Sequence, residues 1–445
     1  MTNDELTRAT SEERDRTPPA PVARRGLGGN FWKLFVASTL GNLGQGVTAV
    51  ALPWLATTLT TNAFLIALVG VAQRLPWLVF SLHAGALADR LDRRRLMVAM
   101  SLLRALVLGG TAVLIAADAM TLPVLLVCAL VLGFVEVLFD NTAQVILPAV
   151  VDRAQLPTAN GRVMSAQIVT DDFFGRPLGG LLLGVALAVP FAFDAGMALV
   201  AALALFTLRG AFRASGASAD GDPADKPPRR SMRAEIAEGV RWLWGHSLLR
   251  PMAIALAVTN AAGQGALAIY VLYAQEILHL GPGGFAVLIS VGGVGGLLGG
   301  LLAGRASRRL GPGRSLVVTL LLELAAFATA AFTSNAYLVG AVMGTLGFGV
   351  VLWNVVTVSL RQTIIPDRLL GRVNSVYRLL GWGCMPLGMA LGGGLVALVE
   401  ELAGREAGLR APFLAVVLVL GCLLLYVRRH LNGRAIEAAL AAAER

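Results

Sequence analysis

Charge is what this sequence lacks most. Only 14% of its 445 residues are charged, whereas a soluble domain carries about 25%, so water is the wrong solvent for most of its surface. Histidine is sparse too: His83, His246, His279 and His430 are scattered along the chain, and no metal-ligand spacing emerges. Cys128, Cys384 and Cys422 lie far apart inside apolar runs. An odd, dispersed set of that kind builds no disulfide framework. The only lysines are Lys33 and Lys226, and neither stands in G-x-x-x-x-G-K-[ST], which argues against the phosphate loop of an ATP-driven pump. G-x-S-x-G and other catalytic clusters are missing as well. The expectation is a protein that is not an enzyme and needs neither cofactor nor metal.

What the chain has in excess is apolar surface. Hydrophobic residues make up 56%, mean hydropathy is +0.72, and 51 glycines suit helices packed closely in lipid. A net charge of +10 invites a nucleic-acid reading, but the basic residues sit in short clusters between apolar runs rather than on one soluble face. They read as topology determinants, and no nucleic-acid partner is expected.

A helix needs roughly 20 apolar residues to cross about 30 Å of hydrocarbon. Runs of that length predict spans at 33–58, 64–84, 96–117, 122–145, 162–187 and 190–209, then at 251–276, 284–304, 315–334, 336–360, 373–399 and 411–428. Loop charge tests this count independently. Arginines follow every even-numbered span: Arg90 and Arg93–Arg95, Arg153, eight basic residues from Arg209 to Arg250, Arg305 to Arg314, and Arg361 to Arg372. The opposite side carries only Arg405 and Arg410, beside Glu400, Glu401 and Glu406. By the positive-inside rule the even loops and both termini face the cytoplasm. The polar first thirty residues lack an apolar core and read as a disordered cytoplasmic tail rather than a cleavable signal.

The chain also repeats itself. Gly44-Gln45-Gly46 recurs as Gly263-Gln264-Gly265, Gln144 and Pro148 as Gln362 and Pro366, Gly161-Arg162-Val163 as Gly371-Arg372-Val373, and Pro177-Leu178-Gly179 as Pro386-Leu387-Gly388. The matches keep their order and fall on corresponding spans. Two like-oriented six-helix halves are the repeat plan of many secondary transporters. The fold class expected is therefore an all-α membrane protein, twelve transmembrane helices in two pseudo-symmetric six-helix bundles. Its divisions are a tail at 1–30, a first bundle at 31–209, a linker at 210–250, a second bundle at 251–430 and a tail at 431–445. The linker opens with a Gly-, Ala-, Asp- and Pro-rich flexible stretch. It then places Ile236, Val240, Leu243 and Trp244 at helical spacing, as in an amphipathic helix on the membrane surface.

The residues after span two, Gly85-Ala86-Leu87-Ala88-Asp89-Arg90-Leu91-Asp92-Arg93-Arg94-Arg95, closely match G-x-L-A-D-R-x-x-R-R, the loop signature of the major facilitator superfamily. A degenerate copy, Gly304 to Gly311, follows span eight. Span five carries Gly175-Arg176-Pro177-Leu178-Gly179-Gly180, which resembles that family's antiporter motif G-P-x-x-G-G. Arg74-Leu75-Pro76-Trp77, Leu147-Pro148, Glu238-Gly239 and Trp242-Leu243-Trp244 look like the drug:proton antiporter branch, which includes macrolide efflux pumps and enterobactin exporters. In two places the chain departs from the pattern. Arg176 stands where the motif has its first proline, and the arginine common midway along span four is replaced by Glu136 and Asp140.

The resemblance implies a secondary transporter of a small organic solute, coupled to protons, working as a monomer in the inner membrane. Efflux of a drug-like or siderophore-like amphiphile competes with solute uptake, and a non-transporting scaffold or receptor of the same ancestry stays open. In the family, spans one, four, seven and ten line the cavity, while two, five, eight and eleven meet between the halves. Gly85, Asp89, Arg90 and Arg93 read as a conformational latch, Asp89 facing a helix N-terminus and the arginines anchoring to anionic lipid. Plain topology signalling is the alternative. Each intramembrane charge is a functional hypothesis by default. Glu136 and Asp171, with Arg74 beside them, are the proton-coupling candidates, against a buried structural pair in which Arg74 or Arg176 holds an acid. Arg104 and Glu323, at equivalent positions of spans three and nine, read as structural. The substrate-cavity candidates are Gln45, Gln264, Trp54, Tyr273, Trp353 and Asn354, since amides and aromatic faces suit an amphiphile. Helix-to-helix amide bonding is the competing reading, above all for Asn42 and Asn260. Gly175, Pro177, Gly179 and Gly180 form the expected helix-kink motif.

Overall fold

The computed structural model describes residues 27–152, 155–209 and 232–443, with the side chains of 81–90, 232–236, 367–368 and 443 outside the description. Among the described residues every regular element is a helix. Eleven helices are long and apolar enough to cross a membrane. They are span one (Gly29–Leu59), two (Ala63–Arg90), three (Arg93–Ala116), four (Leu122–Val150), six (Val189–Phe206), seven (Leu249–Leu267, continued after a turn by Tyr270–Glu276), eight (Pro282–Leu310), nine (Pro312–Phe332), ten (Ala336–Ile364), eleven (Asp367–Ala403) and twelve (Arg405–His430). The twelfth crossing, span five, is composite: α-helix Leu156–Ile168, π-helix Val169–Gly175 and α-helix Arg176–Val185. The fold is thus the expected all-α membrane architecture. Several helices outrun the predicted spans because the backbone stays hydrogen-bonded past the edge of the hydrocarbon. Span two reaches Arg90 instead of 84, and span eleven begins at Asp367 instead of 373.

Local chemistry fixes the helix starts. The Asp92 carboxylate accepts from the Arg95 amide at 2.9 Å and caps span three. The Asn335 side chain accepts from the Leu338 amide at 3.1 Å and caps span ten. Each satisfies a donor that the first helical turn leaves without a partner. Pro123, Pro157, Pro282 and Pro312 stand in first turns, where their missing N–H costs nothing. Between helices the driving force is close packing of small residues, since lipid is as apolar as leucine. Spans eight and ten approach so closely that a Cβ on Gly295 would overlap the Gly344 carbonyl and one on Gly347 the Gly292 carbonyl.

Spans one to six and seven to twelve form the two bundles. They meet along two seams, span two against eleven and span five against eight. Among the described residues the first seam runs from the arginine-poor end at least to Trp77 and Trp382, whose rings are 5.1 Å apart. Gly393 of span eleven sits on Ala63, Phe64 and Ala67 of span two. Gly180 of span five sits on Pro282, Gly283 and Ala286 of span eight. The Gln275 amide donates to the Thr57 hydroxyl at 3.0 Å, and Arg405 donates to the Thr61 carbonyl at 2.9 Å. The same Arg405 guanidinium is paired with Glu276 at 2.7 Å and Glu400 at 2.8 Å, so one side chain ties the ends of spans seven, eleven and twelve to the loop between spans one and two.

The linker helix, Met232–Gly245, lies along the start of span eleven. Glu238 pairs with Arg372 at 2.6 Å, and Gly239 is packed against the Arg372 carbonyl. Beyond span twelve, where the sequence reading has only a tail, Gly433–Ala443 forms a short helix whose Ile436 and Ala439 are buried against spans nine and ten. The alternation of apolar and polar residues over so few turns is a weak signal, and the apolar side finds its partner only in the folded bundle.

Candidate functional site

Burying a charge in a bundle is costly unless it is paired, so the intramembrane charges of the first bundle are its leading functional candidates. Those of spans two, three, four and six form one polar cluster. Glu136 of span four is buried and lies 3.5 Å from the guanidinium of Arg74 on span two, whose side chain is 43% exposed. One helical turn from Glu136, Asp140 lines a small, partly open cavity of about 40 Å³ among spans one, three, four and six, which Asn42, Gln45, Ser101, Arg104 and Glu136 also line. On its far side Arg104 is bound to a carboxylate that the sequence reading passed over. Asp194 of span six is fully buried and accepts from Arg104 through both oxygens, at 2.6 and 3.1 Å. It also accepts from the Thr48 hydroxyl at 2.5 Å. Gly44 leaves it room, since a Cβ there would overlap the carboxylate. A single acid in the Ala-, Leu- and Val-rich run of span six was the available signal.

The second charged group lies on the π-helical part of span five. A π-turn widens the helix and is frequent at functional sites. Here it carries Asp171 and Asp172 one turn before Arg176, which pairs with Asp172 at 2.7 Å and Asp171 at 3.7 Å. Arg176 also reaches across the seam toward the Ile289 carbonyl of span eight, at 3.5 Å, and Asp172 packs against Gly293 of the same span. The arginine that replaces the motif proline thus neutralises part of an acidic pair at the junction of the halves. The other motif residues set close approach: Gly175 and Gly179 lie against the span-one backbone at Leu43, Gly46 and Val47, and Gly180 against span eight. Pro177 occupies the first turn of the resumed α-helix.

The amide and aromatic candidates separate into distinct places. Gln45 lines the polar cavity. Trp54 reaches the seam, its ring 5.9 Å from Phe285 of span eight. Gln264 is half-buried on span seven. Asn260 donates to the Gly381 carbonyl at 2.8 Å, which is the helix-to-helix bonding expected for it. Tyr273 belongs to the packing of the second bundle and not to an open cavity. It is fully buried, its ring packs at a tilt 4.5 Å from that of Phe413, and its hydroxyl donates to the Ala330 carbonyl at 2.8 Å. Its repeat counterpart Trp54 sits on the seam, so the correspondence preserves the position along the helix but not the neighbours. Tyr273→Phe should lower thermal stability by about 1 kcal/mol, the worth of one such bond, and leave transport unchanged; a large transport loss at equal stability would contradict this placement. Trp353 is buried beside Tyr377, while Asn354 is exposed and donates to its own Val350 carbonyl at 2.9 Å.

Gly85, Asp89 and Arg90 of the expected latch lie on the helical end of span two, and their side chains fall outside the described residues. Arg93 follows in the first turn of span three. The sequence reading did not single out Arg378 of span eleven. Its guanidinium stands 5.4 Å over the Trp382 ring, and that ring meets Trp77 of span two across the seam at 5.1 Å.

Residues 34–383 match the family model described as Major Facilitator Superfamily. The multidrug efflux pump Tap of Mycolicibacterium fortuitum is 30% identical over 412 residues, covering 89% of this chain and 95% of that protein. Its namesake in Mycobacterium tuberculosis (strain ATCC 25618 / H37Rv) is 29% identical over 407 residues, covering 88% and 91%. Among solved structures, a mutant of the nucleoside transporter NupG superimposes with a TM-score of 0.74 at 13% identity, covering 91% of this chain and all of that one. A bacterial homologue of the iron transporter ferroportin in an inward-facing state gives 0.66 at 16% identity, over 89% of this chain and 98% of that one. At such identities the likeness is one of fold.

Proposed function

We propose, since the chain belongs to the major facilitator superfamily and is a secondary transporter, that it expels amphiphilic, drug-like organic compounds in exchange for protons by alternating access. The multidrug efflux pumps to which it is similar over nearly its whole length support the direction and the substrate class. The observation that carries the mechanism is the presence of two acid clusters in the first bundle, at Glu136 and at Asp171, the second of them at the seam between the halves. With the arginine-rich loops and both termini in the cytoplasm of a cell (inner) membrane, the end tied together by Arg405 is external. Solute enters from the cytoplasmic side. A proton arriving from outside neutralises a carboxylate when the outer end opens, and leaves to the cytoplasm when it closes. Arg405 and the Gln275–Thr57 bond hold the outer end shut between turns. Asp89 and the neighbouring arginines latch the opposite state at the cytoplasmic face. A single copy of the chain contains every group this cycle uses, so it works as a monomer in the bilayer.

Uptake of a nutrient by the same fold is the competing reading. Inside-out vesicles from cells expressing the chain separate the two. Ethidium, a macrolide and a siderophore should accumulate in energised vesicles and leak out when a protonophore is added. Accumulation only in right-side-out vesicles would overturn efflux, and accumulation indifferent to the protonophore would overturn proton coupling.

A further inference from the structure

The polar cluster of the first bundle does not balance its own charge. Span two brings Arg74, span three Arg104, span four Glu136 and Asp140, span six Asp194, and span one only the neutral Asn42 and Gln45. Asp171 of span five lies beyond this group with its own partner, Arg176. Three carboxylates therefore share two guanidiniums. The geometry shows how the two cations are spent. Arg104 is committed to Asp194 by two hydrogen bonds, and Arg74 lies beside Glu136 at 3.5 Å. Among the described residues Asp140 makes no hydrogen bond or ion pair, yet its side chain lines the cavity. That cavity, about 40 Å³, exceeds the roughly 10–15 Å³ that one water needs, and it offers several polar partners. One positive charge is missing, and the space available holds water and a proton.

We propose that Asp140 is a further proton-accepting carboxyl, sharing one proton with Glu136 through this cavity, and that Asp194 is the positioning residue that keeps Arg104 from supplying the missing charge itself. The inference rests on the proton-coupled reading above and deepens it. Glu136 and Asp140, four residues apart on one helix, project from the same face, so a single proton or hydronium serves both. Arg104 also lines the cavity. Without Asp194 its guanidinium is free to turn toward Asp140 and occupy the place of the proton. Asp194 prevents this because it is fixed from three sides: by the two bonds from Arg104, by the Thr48 hydroxyl, and by the space left at Gly44. In each cycle a proton adds to a carboxylate oxygen of the pair from one side and leaves it to the other, with no other bond made or broken.

The test compares two activities of purified protein in liposomes, with ethidium as the probe. Accumulation driven by a pH gradient needs net proton movement, whereas ethidium counterflow does not. Asp140→Asn should lower the ratio of accumulation to counterflow at least tenfold. Asp194→Asn should do the same, because it releases Arg104. Adding Arg104→Gln to Asp194→Asn removes the intruding charge and should restore the ratio to within about threefold of wild type. Asp140→Asn with a wild-type ratio would overturn the assignment of Asp140. A double variant no better than Asp194→Asn, or an Asp194→Asn protein whose two activities fall together, would mean that the Arg104–Asp194 pair is only a structural clasp. Wild-type protein showing counterflow but no gradient-driven accumulation is a different result: it removes proton coupling as such, and this proposal with it.

Discussion

Glu136→Gln and Asp171→Asn are expected to abolish gradient-driven efflux while the proteins still insert and fold. The size of the effect follows from what a proton delivers. One elementary charge moving across about 100 mV carries about 2.3 kcal/mol, and about 1.4 kcal/mol corresponds to a factor of ten. A single coupled proton therefore sustains roughly 50-fold accumulation of an uncharged substrate, and a transporter that no longer loads it drifts to equal concentrations. The amide variants keep the shape of each side chain. Glu136→Gln leaves Arg74, whose side chain is 43% exposed, able to reach solvent, so no fully buried charge is orphaned. Asp171→Asn leaves Arg176 paired with Asp172 at 2.7 Å. Loss of accumulation at normal expression and normal thermal stability is the expected outcome. Normal accumulation by both variants would remove these residues from the coupling path.

Gly393→Leu should jam the outer end open. A Cβ at Gly393 already falls 2.6 Å from the Ala67 side chain and 3.0 Å from the Phe64 backbone, so a leucine cannot be seated while spans two and eleven touch there. The contact exists only where the halves close. The strain therefore falls on one conformation instead of on the fold as a whole. Overpacking costs about 1–3 kcal/mol, and a bias of that size shifts a two-state equilibrium about 5- to 150-fold. Ala286, almost wholly buried on the neighbouring seam, reports it. In a protein without Cys128, Cys384 and Cys422, Ala286→Cys should react slowly with a membrane-impermeant maleimide from outside, and at least fivefold faster once Gly393→Leu is added. Unchanged reactivity together with unchanged transport would show that the seam is not the gate.

Much of this architecture was legible in the sequence because lipid imposes simple rules. Twenty apolar residues make a crossing, arginines mark one side, and a duplicated chain repeats its motifs. The amphipathic stretch ending at Trp244 forms the linker helix for the same reason. The π-helical turn at Val169–Gly175 was not legible, since one residue of extra winding leaves no compositional trace; the replaced proline at Arg176 marked the locality but not the geometry. Asp194 escaped notice although an acid within an apolar span is itself a signal, because nothing in the linear order links it to Arg104, ninety residues earlier. Tyr273 shows the opposite limit. Repeat symmetry matched it to Trp54, yet pseudo-equivalent helices keep their register while exchanging neighbours. Where Gly44 of the first bundle meets the Asp194 carboxylate, its counterpart Gly263 in the second meets the Phe327 ring.

The proposed tie between outward transport and inward proton movement through the carboxylates of the first bundle is tested directly by one recording. Purified protein is sealed into liposomes with a pH-sensitive dye in the lumen and no other ion gradient, and a substrate gradient is then imposed. Proton movement opposite to the substrate, starting when substrate is added and missing in Glu136→Gln, is the predicted trace. Substrate flux with a flat dye signal, or flux that appears only when sodium is supplied, would contradict it.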